Sequence, residues 1–224
     1  GVIRPTFEEY PNRYNKNDTI VFDPKTEDFS YTADDIRNFF SDKEIKNLII
    51  INPDNPSGNY ILKEDMISLI QWTQEEGIKF IVDESFVDFA EEDDNTLIKE
   101  DIIVNNTHLF VIKSISKSYG VPGIRLGILA SGDIEYIKKL KKSVSIWNIN
   151  SFAEFYMQIA EKYQKSYVLA LKRLRAERNR LEVELSKLQN IKPISSQANF
   201  IMVEILGGYS AKEITKILLF QYGL

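Results

Sequence analysis

The stretch LFVIKSISKSYGVPGIRLGILA, residues 109–130, decides the fold. Its two apolar ends, Leu109 to Ile112 and Leu126 to Ala130, read as buried strands. Between them, SISKSYGVPGIRLG (114–127) sets Lys117 among small hydroxyl residues, with Arg125 eight residues further on. Gly120, Pro122 and Gly123 speak against a helix here and for a tight, closely approached loop. A lysine at the end of a sheet, near hydroxyls and a fixed cation, is equipped to hold an anionic group. An amine that is desolvated beside another cation is also favoured as the neutral nucleophile. Taken alone, the loop also admits an ordinary surface lysine, the less favoured of the two readings.

Two further motifs lie upstream. In INPDNPSG (51–58), an apolar strand, Leu48 to Ile51, runs into a loop stiffened by two prolines and turned at Gly58. Asn55 is presented from that loop at a strand end, which is where open α/β sheets bind ligands. In KFIVDESFVDF (79–89), Asp83 and Glu84 close a strongly apolar strand. A carboxylate in that position is either a helix cap or a functional group.

The order of elements points to an α/β fold. Apolar runs at Thr19 to Phe22, Leu48 to Ile51, Phe80 to Val82, Leu109 to Ile112 and Leu126 to Ala130 read as strands. Helical patterns such as TADDIRNFF and KEDMISLIQWTQEEG separate several of them, the first capped by Thr32 and the second ended by Gly77. This alternation predicts a mainly parallel sheet flanked by helices over residues 1–150. Residues 151–224 read as a long helix and the start of a small C-terminal α+β domain. Leu171, Leu174, Leu181, Leu185 and Leu188 share one helical face, interrupted at Arg178, so a helix packed along a domain fits better than a coiled coil. ANFIMVEI follows as a strand and SAKEITKILLFQYGL as a final helix.

Asn-Pro-x-Asn-Pro-x-Gly, then Asp after an apolar strand, then Ser-x-Ser-Lys, then Arg eight residues on, resembles the class I/II aminotransferases of fold type I. Within that family the chain is most similar to the histidinol-phosphate aminotransferase-like branch, with PTFEEY and SQANFIMVEI as further matches. The resemblance implies the cofactor pyridoxal 5'-phosphate, linked to Lys117. It implies Asp83 at the pyridine nitrogen and Asn55 at the phenolic oxygen. It places Arg125, Ser114 and Ser116 on the phosphate, Phe7 on the ring face and Tyr10 near the substrate. The donor is expected to be an amino acid or amino-phosphate, the acceptor a 2-oxo acid, and the full-length protein a homodimer. A decarboxylase of the threonine-phosphate type and a catalytically silent structural domain are the alternatives. Phe86 stands where the branch often has tyrosine and cannot donate a hydrogen bond; Ser85 is the candidate replacement. Family members are longer than this chain, so the resemblance implies a fragment lacking both ends, with a weakened hold on the cofactor and exposed apolar faces.

Composition narrows the field. The 224 residues carry a net charge of −5 with no dense basic patch, so no nucleic-acid partner is expected. There are no cysteines and one histidine, His108, which excludes disulfides, thiolate metal sites and His-rich metal sites. His108 reads as a strand-entry residue. No apolar run approaches a membrane span, and a cytoplasmic location is expected.

Overall fold

The computed structural model describes residues 1–224. Two short parallel strands, β1 (Val2–Ile3) and β2 (Val21–Phe22), flank the single turn α1 (Glu9–Asn12). Then come α2 (Ala33–Phe40), β3 (Asn47–Ile51), α3 (Lys63–Glu75), β4 (Lys79–Asp83), α4 (Glu100–Asn105) and β5 (Leu109–Ser114). A single helical turn, α5 (Ile115–Ser118), precedes β6 (Gly127–Ala130) and α6 (Ile134–Ser143). The C-terminal region holds α7 (Ser151–Ile159), α8 (Gln164–Ser186), the hairpin β7 (Ile191–Pro193) with β8 (Val203–Ile205), and α9 (Ala211–Ile217).

The central sheet has the order β3-β4-β5-β6. β3, β4 and β5 run parallel and β6 antiparallel, so the sheet is mainly parallel as expected. β1 meets the sheet through Gly1, whose carbonyl accepts from the Ile49 amide at 3.0 Å. One face of the sheet is fully closed. Leu48, Ile50, Phe80, Val82, Leu109 and Val111 are buried there with Ile36 and Phe40 of α2 and Met66, Leu69 and Ile70 of α3. Each such side chain contributes about 1.5–3 kcal/mol on leaving water. α2 starts where the sequence predicts. The Thr32 hydroxyl accepts from the Asp35 amide at 3.2 Å, and the Asp35 carboxylate accepts from the Thr32 amide at 2.8 Å.

Besides β6, an edge strand whose Ile128 and Leu129 are each 41% exposed where a buried strand was expected, the structure departs from the sequence reading in four places. The first is at Ile115–Ser118, where an α-helical turn replaces the expected loop; Gly120 and Pro122 lie beyond that turn rather than preventing it. The second is the leucine stripe of α8. Leu171 and Leu174 pack on Phe86, Phe89 and Ala198, whereas Leu181 and Leu188 are about half exposed. Arg178 does not interrupt a seam but anchors the helix. It is buried, donates to the carbonyls of Phe89 (2.8 Å) and Ala198 (3.1 Å), and pairs with Glu91 at 2.7 Å. Third, only the end of ANFIMVEI forms a strand. Last, α9 continues into a wider turn over Leu218–Tyr222. His108 does enter β5, with its Nε2 3.2 Å from Thr73 Oγ1 and 3.0 Å from the Ile70 carbonyl of α3. No helix is long and apolar enough to cross a membrane.

Large apolar side chains remain uncovered beyond β6. Ile146 and Trp147 are almost fully exposed and Phe152 nearly so.

The loop 52–58 is held on two sides. The Asn52 side chain donates to the Ile61 carbonyl and accepts from the Ile61 amide, both at 2.9 Å, which ties the end of β3 to the approach of α3. On the other side, the Gly58 carbonyl accepts from the Gln197 amide at 2.9 Å. Gly58 has φ +77°, and a Cβ there would lie 2.1 Å from Ser196 Oγ and 2.8 Å from Ser196 Cα. Gly58→Ala is therefore expected to cost at least roughly 1–3 kcal/mol in backbone strain alone. Denaturant melts of the two proteins measure this, and equal midpoints would contradict it.

Candidate active site

The C-terminal ends of β3, β4 and β5 stand in register, with Ile51 beside Asp83 and Asp83 beside Ile112. They form the floor of a cavity of about 520 Å³. That is within the size range of small-molecule sites, and its place outside the carboxyl ends of parallel strands is the usual one for ligands. Asn55 enters from the β3 loop, Phe7 from the loop after β1, Ser114, Ser116 and Lys117 from the β5–α5 corner, and Arg125 from the segment before β6. Seven of the eight residues singled out in the sequence thus line one cavity. The eighth, Tyr10, reaches the cavity's carboxylate: its hydroxyl donates to Asp83 Oδ2 at 2.5 Å. Burial, then the Asp83 charge, pushes that phenol far above its ordinary range and keeps it a donor.

Asp83 is held from its other side by Ser85. The Ser85 hydroxyl donates to Asp83 Oδ1 at 2.5 Å and its amide donates at 2.9 Å. The same hydroxyl accepts from the Ser114 amide at 3.0 Å. Ser85 therefore spends its hydroxyl proton on Asp83 and does not replace the donor that Phe86 lacks. The Phe86 ring is buried against Phe200 at a centroid distance of 5.1 Å, and Lys117 Nζ sits 4.8 Å from its centroid. Glu84, which follows Asp83 just past the end of β4, turns the other way. It is buried, accepts from Thr96 Oγ1 (2.7 Å) and the Leu97 amide (2.6 Å), and fixes the loop before α4. Of the two strand-end carboxylates, Asp83 alone faces the cavity.

The donor set fits pyridoxal phosphate. Ser116 Oγ is buried in the cavity wall without a partner in the chain, a donor suited to a phosphate oxygen. Arg125 adopts a left-handed backbone (φ +51°), and its guanidinium has only a 3.5 Å contact, to the Pro122 carbonyl. Non-glycine residues hold that conformation at a cost of order 1–3 kcal/mol, a pattern common at ligand clamps. The carboxylate of Asp83, the amide of Asn55 and the amine of Lys117 supply an acceptor, a donor and a nucleophile on the same floor.

A family model for aminotransferase class I and II matches residues 2–224. L-serine phosphate decarboxylase of Sulfurospirillum multivorans is 30% identical over 230 residues, covering 100% of this chain and 58% of that protein. Histidinol-phosphate aminotransferase of Thermoanaerobacter pseudethanolicus is 34% identical over 180 residues, covering 80% of this chain and 48% of its own length. The crystal structure of the histidinol-phosphate aminotransferase of Clostridium acetobutylicum superposes with a TM-score of 0.82 at 27% identity, covering 99% of this chain and 65% of that one. The chain spans about half the length of the two sequence relatives.

The Asn55 loop also carries a buried acid. Asp54 accepts from Ser57 Oγ at 2.6 Å, and burial pushes its pKa up to about 6. The folded chain thus binds a proton more readily than the unfolded one. The stability this contributes is full below the ordinary aspartate pKa and is lost as the pH rises through 6. Asp54→Asn keeps an acceptor for Ser57 and should remove that loss. At pH 7 it is expected to be more stable than the parent by on the order of 2 kcal/mol, with no advantage at pH 4. A pH series of urea melts tests this; a variant weaker at pH 7 would count against it.

Proposed function

This chain belongs to the class I and II aminotransferase family, whose cofactor is pyridoxal 5'-phosphate, and we propose that it forms the cofactor-binding part of an enzyme that transfers the amino group of a small amino-phosphate compound to a 2-oxo acid. The observation that carries this reading is the convergence of Asn55, Asp83, Ser116, Lys117 and Arg125 on one cavity floor. Bound pyridoxal phosphate supplies a sink for the electron pair left at a substrate α-carbon. The chain's residues do the rest. Arg125, Ser114 and Ser116 would bind the phosphate, and Phe7 would cover the ring. Asp83 would accept a hydrogen bond from the ring nitrogen and favour its protonated form. Tyr10 and Ser85 hold that carboxylate in place. Asn55 would donate to the phenolic oxygen. Lys117 would attach the cofactor, and its free amine would move the proton at a substrate α-carbon. The phosphate-bearing substrate is supported by the relatives, which act on L-serine phosphate and on histidinol phosphate. The homodimer and the domain boundary near residue 150 belong to the same proposal.

Decarboxylation is the second reading. It is favoured by the L-serine phosphate decarboxylase of Sulfurospirillum multivorans, which aligns with the entire chain. The same floor serves both reactions, because the bond that breaks is the one held perpendicular to the ring. Supplying the full-length protein with an amino-acid phosphate and a 2-oxo acid separates them. New amino acid without carbon dioxide supports aminotransfer; carbon dioxide and an amine support decarboxylation. Neither product would leave a silent domain.

Lys117→Ala is expected to abolish the borohydride-sensitive absorbance band near the visible edge while leaving the circular dichroism unchanged. Asp83→Ala should lower turnover by on the order of 100-fold or more, with a smaller change in cofactor affinity. A retained band in the first variant, or an unchanged rate in the second, would remove those residues from their roles.

A further inference from the structure

Every residue that lines the cavity lies between Phe7 and Ile128, yet the C-terminal region reaches the turn that carries Lys117. That turn, α5, has only four residues. One helical turn fixes several backbone angles for very few hydrogen bonds and does not hold itself in place. Its start is anchored by the sheet. The Ser114 amide donates to Ser85 Oγ and the Ile115 amide to the Leu126 carbonyl, both at 3.0 Å. Its end is anchored through Tyr119. The Gly120 amide donates back to the Lys117 carbonyl at 3.2 Å, and the Tyr119 ring between them leaves the turn and stacks on Tyr167 of α8. The two ring centroids are 4.2 Å apart and the planes 4° from parallel. Tyr156 of α7 meets Tyr119 nearly at right angles, 6.4 Å away. Tyr167 is the one residue of 161–170 apart from solvent-exposed neighbours that is partly buried, and its hydroxyl is buried without a partner in the chain. Its ring face therefore makes the contact with Tyr119, as stacked aromatic pairs do. The helix behind it is fixed in turn: Arg175 donates to the Asp88 carbonyl at 3.0 Å and Arg178 to the Phe89 carbonyl at 2.8 Å.

We propose that Tyr167 is a positioning residue for Lys117: stacked on Tyr119, it fixes the far end of α5 and so the place of the amine in the cavity. The inference rests on the pyridoxal phosphate reading of the site. Attachment of the cofactor needs the amine nitrogen aligned with the aldehyde carbon. Its lone pair attacks that carbon, the carbonyl oxygen leaves as water with the two amine protons, and a carbon–nitrogen double bond remains. Small displacements of the nitrogen cost large factors in rate. Loss of the Tyr167 ring frees the end of the turn next to Lys117. Ser114 and the start of α5 keep their bonds to Ser85 and Leu126, so the phosphate contacts are disturbed less.

Two ligands separate this role from a merely structural one. Pyridoxal phosphate added to the cofactor-free full-length protein reports attachment through the absorbance near the visible edge. Borohydride, which delivers hydride to the imine carbon, and mass spectrometry then locate the label. Pyridoxine phosphate has an alcohol in place of the aldehyde, so its affinity reports the floor and the phosphate contacts alone. Tyr167→Ala is expected to slow attachment at least about tenfold while changing the affinity for pyridoxine phosphate by less than about threefold. Tyr167→Phe keeps the ring and should match the parent. Tyr119→Ala should match Tyr167→Ala, and the double variant should be no slower than either, because both remove the same contact. Circular dichroism checks folding. If Tyr167→Ala does not fold, Tyr167→Leu keeps the apolar bulk without the flat face and is expected to show the same split. Absence of an imine on Lys117 in the parent refutes the proposed function and this inference with it. An imine that forms in the parent and equally fast in the Ala or Leu variant refutes the inference alone. So does an equal loss of pyridoxine phosphate binding, or a Phe variant as slow as the Ala variant.

Discussion

Parallel pairing of β3, β4 and β5 brings Ile51, Asp83 and Ile112 side by side, and the cavity depends on that register. Side chains along a strand alternate between faces, so a slip of one residue would send Asp83 into the closed face and bring Val82 or Glu84 into the cavity. The closed face opposes such a slip. Phe80 and Val82 are wholly buried among residues of α2 and α3, and burying Asp83 there without partners would cost several kcal/mol. The apolar packing on one side of the sheet thus specifies the chemistry on the other.

Polar satisfaction then distinguishes support from reactivity. Asp83, Glu84 and Asp88 lie within one short stretch of β4 and the turn after it, yet each has a different environment. Glu84 is bound entirely within the chain by Thr96 and Leu97. Asp88 is bound to a buried cation. Asp83 is steadied by Tyr10 and Ser85 but still faces open space. Fixed donors of this kind position a carboxylate without neutralising it, which is what electrostatic preorganisation requires.

Much of this was legible in the residues themselves. Asn55, Asp83 and Lys117 each follow an apolar run and sit beside proline, glycine or small residues, so strand, strand end and presented side chain can be read locally. The single turn at Ile115–Ser118 was not legible, because Gly120 and Pro122 signal a break without saying on which side the helical hydrogen bonds form. Arg178 looked like a flaw in an apolar stripe. Its partners, the carbonyls of Phe89 and Ala198, are backbone groups that leave no mark in side-chain pattern. The partner of Tyr10 was hidden for a similar reason: a tyrosine near a site offers a ring and a hydroxyl, and only the fold shows that Asp83 takes the hydroxyl.

The bond between the Gly58 carbonyl and the Gln197 amide has a consequence for biosynthesis. A ribosome releases residues in order, and the sheet from β3 to β6 can assemble once residue 130 has emerged. The Asn55 loop cannot be locked then, because Ser196 and Gln197 do not yet exist. Contacts of such long sequence separation form late and slowly. The nascent chain therefore passes through an interval in which the strands and Lys117 are in place but the asparagine wall is still loose. Cofactor capture during synthesis would begin at the lysine and tighten only when the C-terminal segment docks.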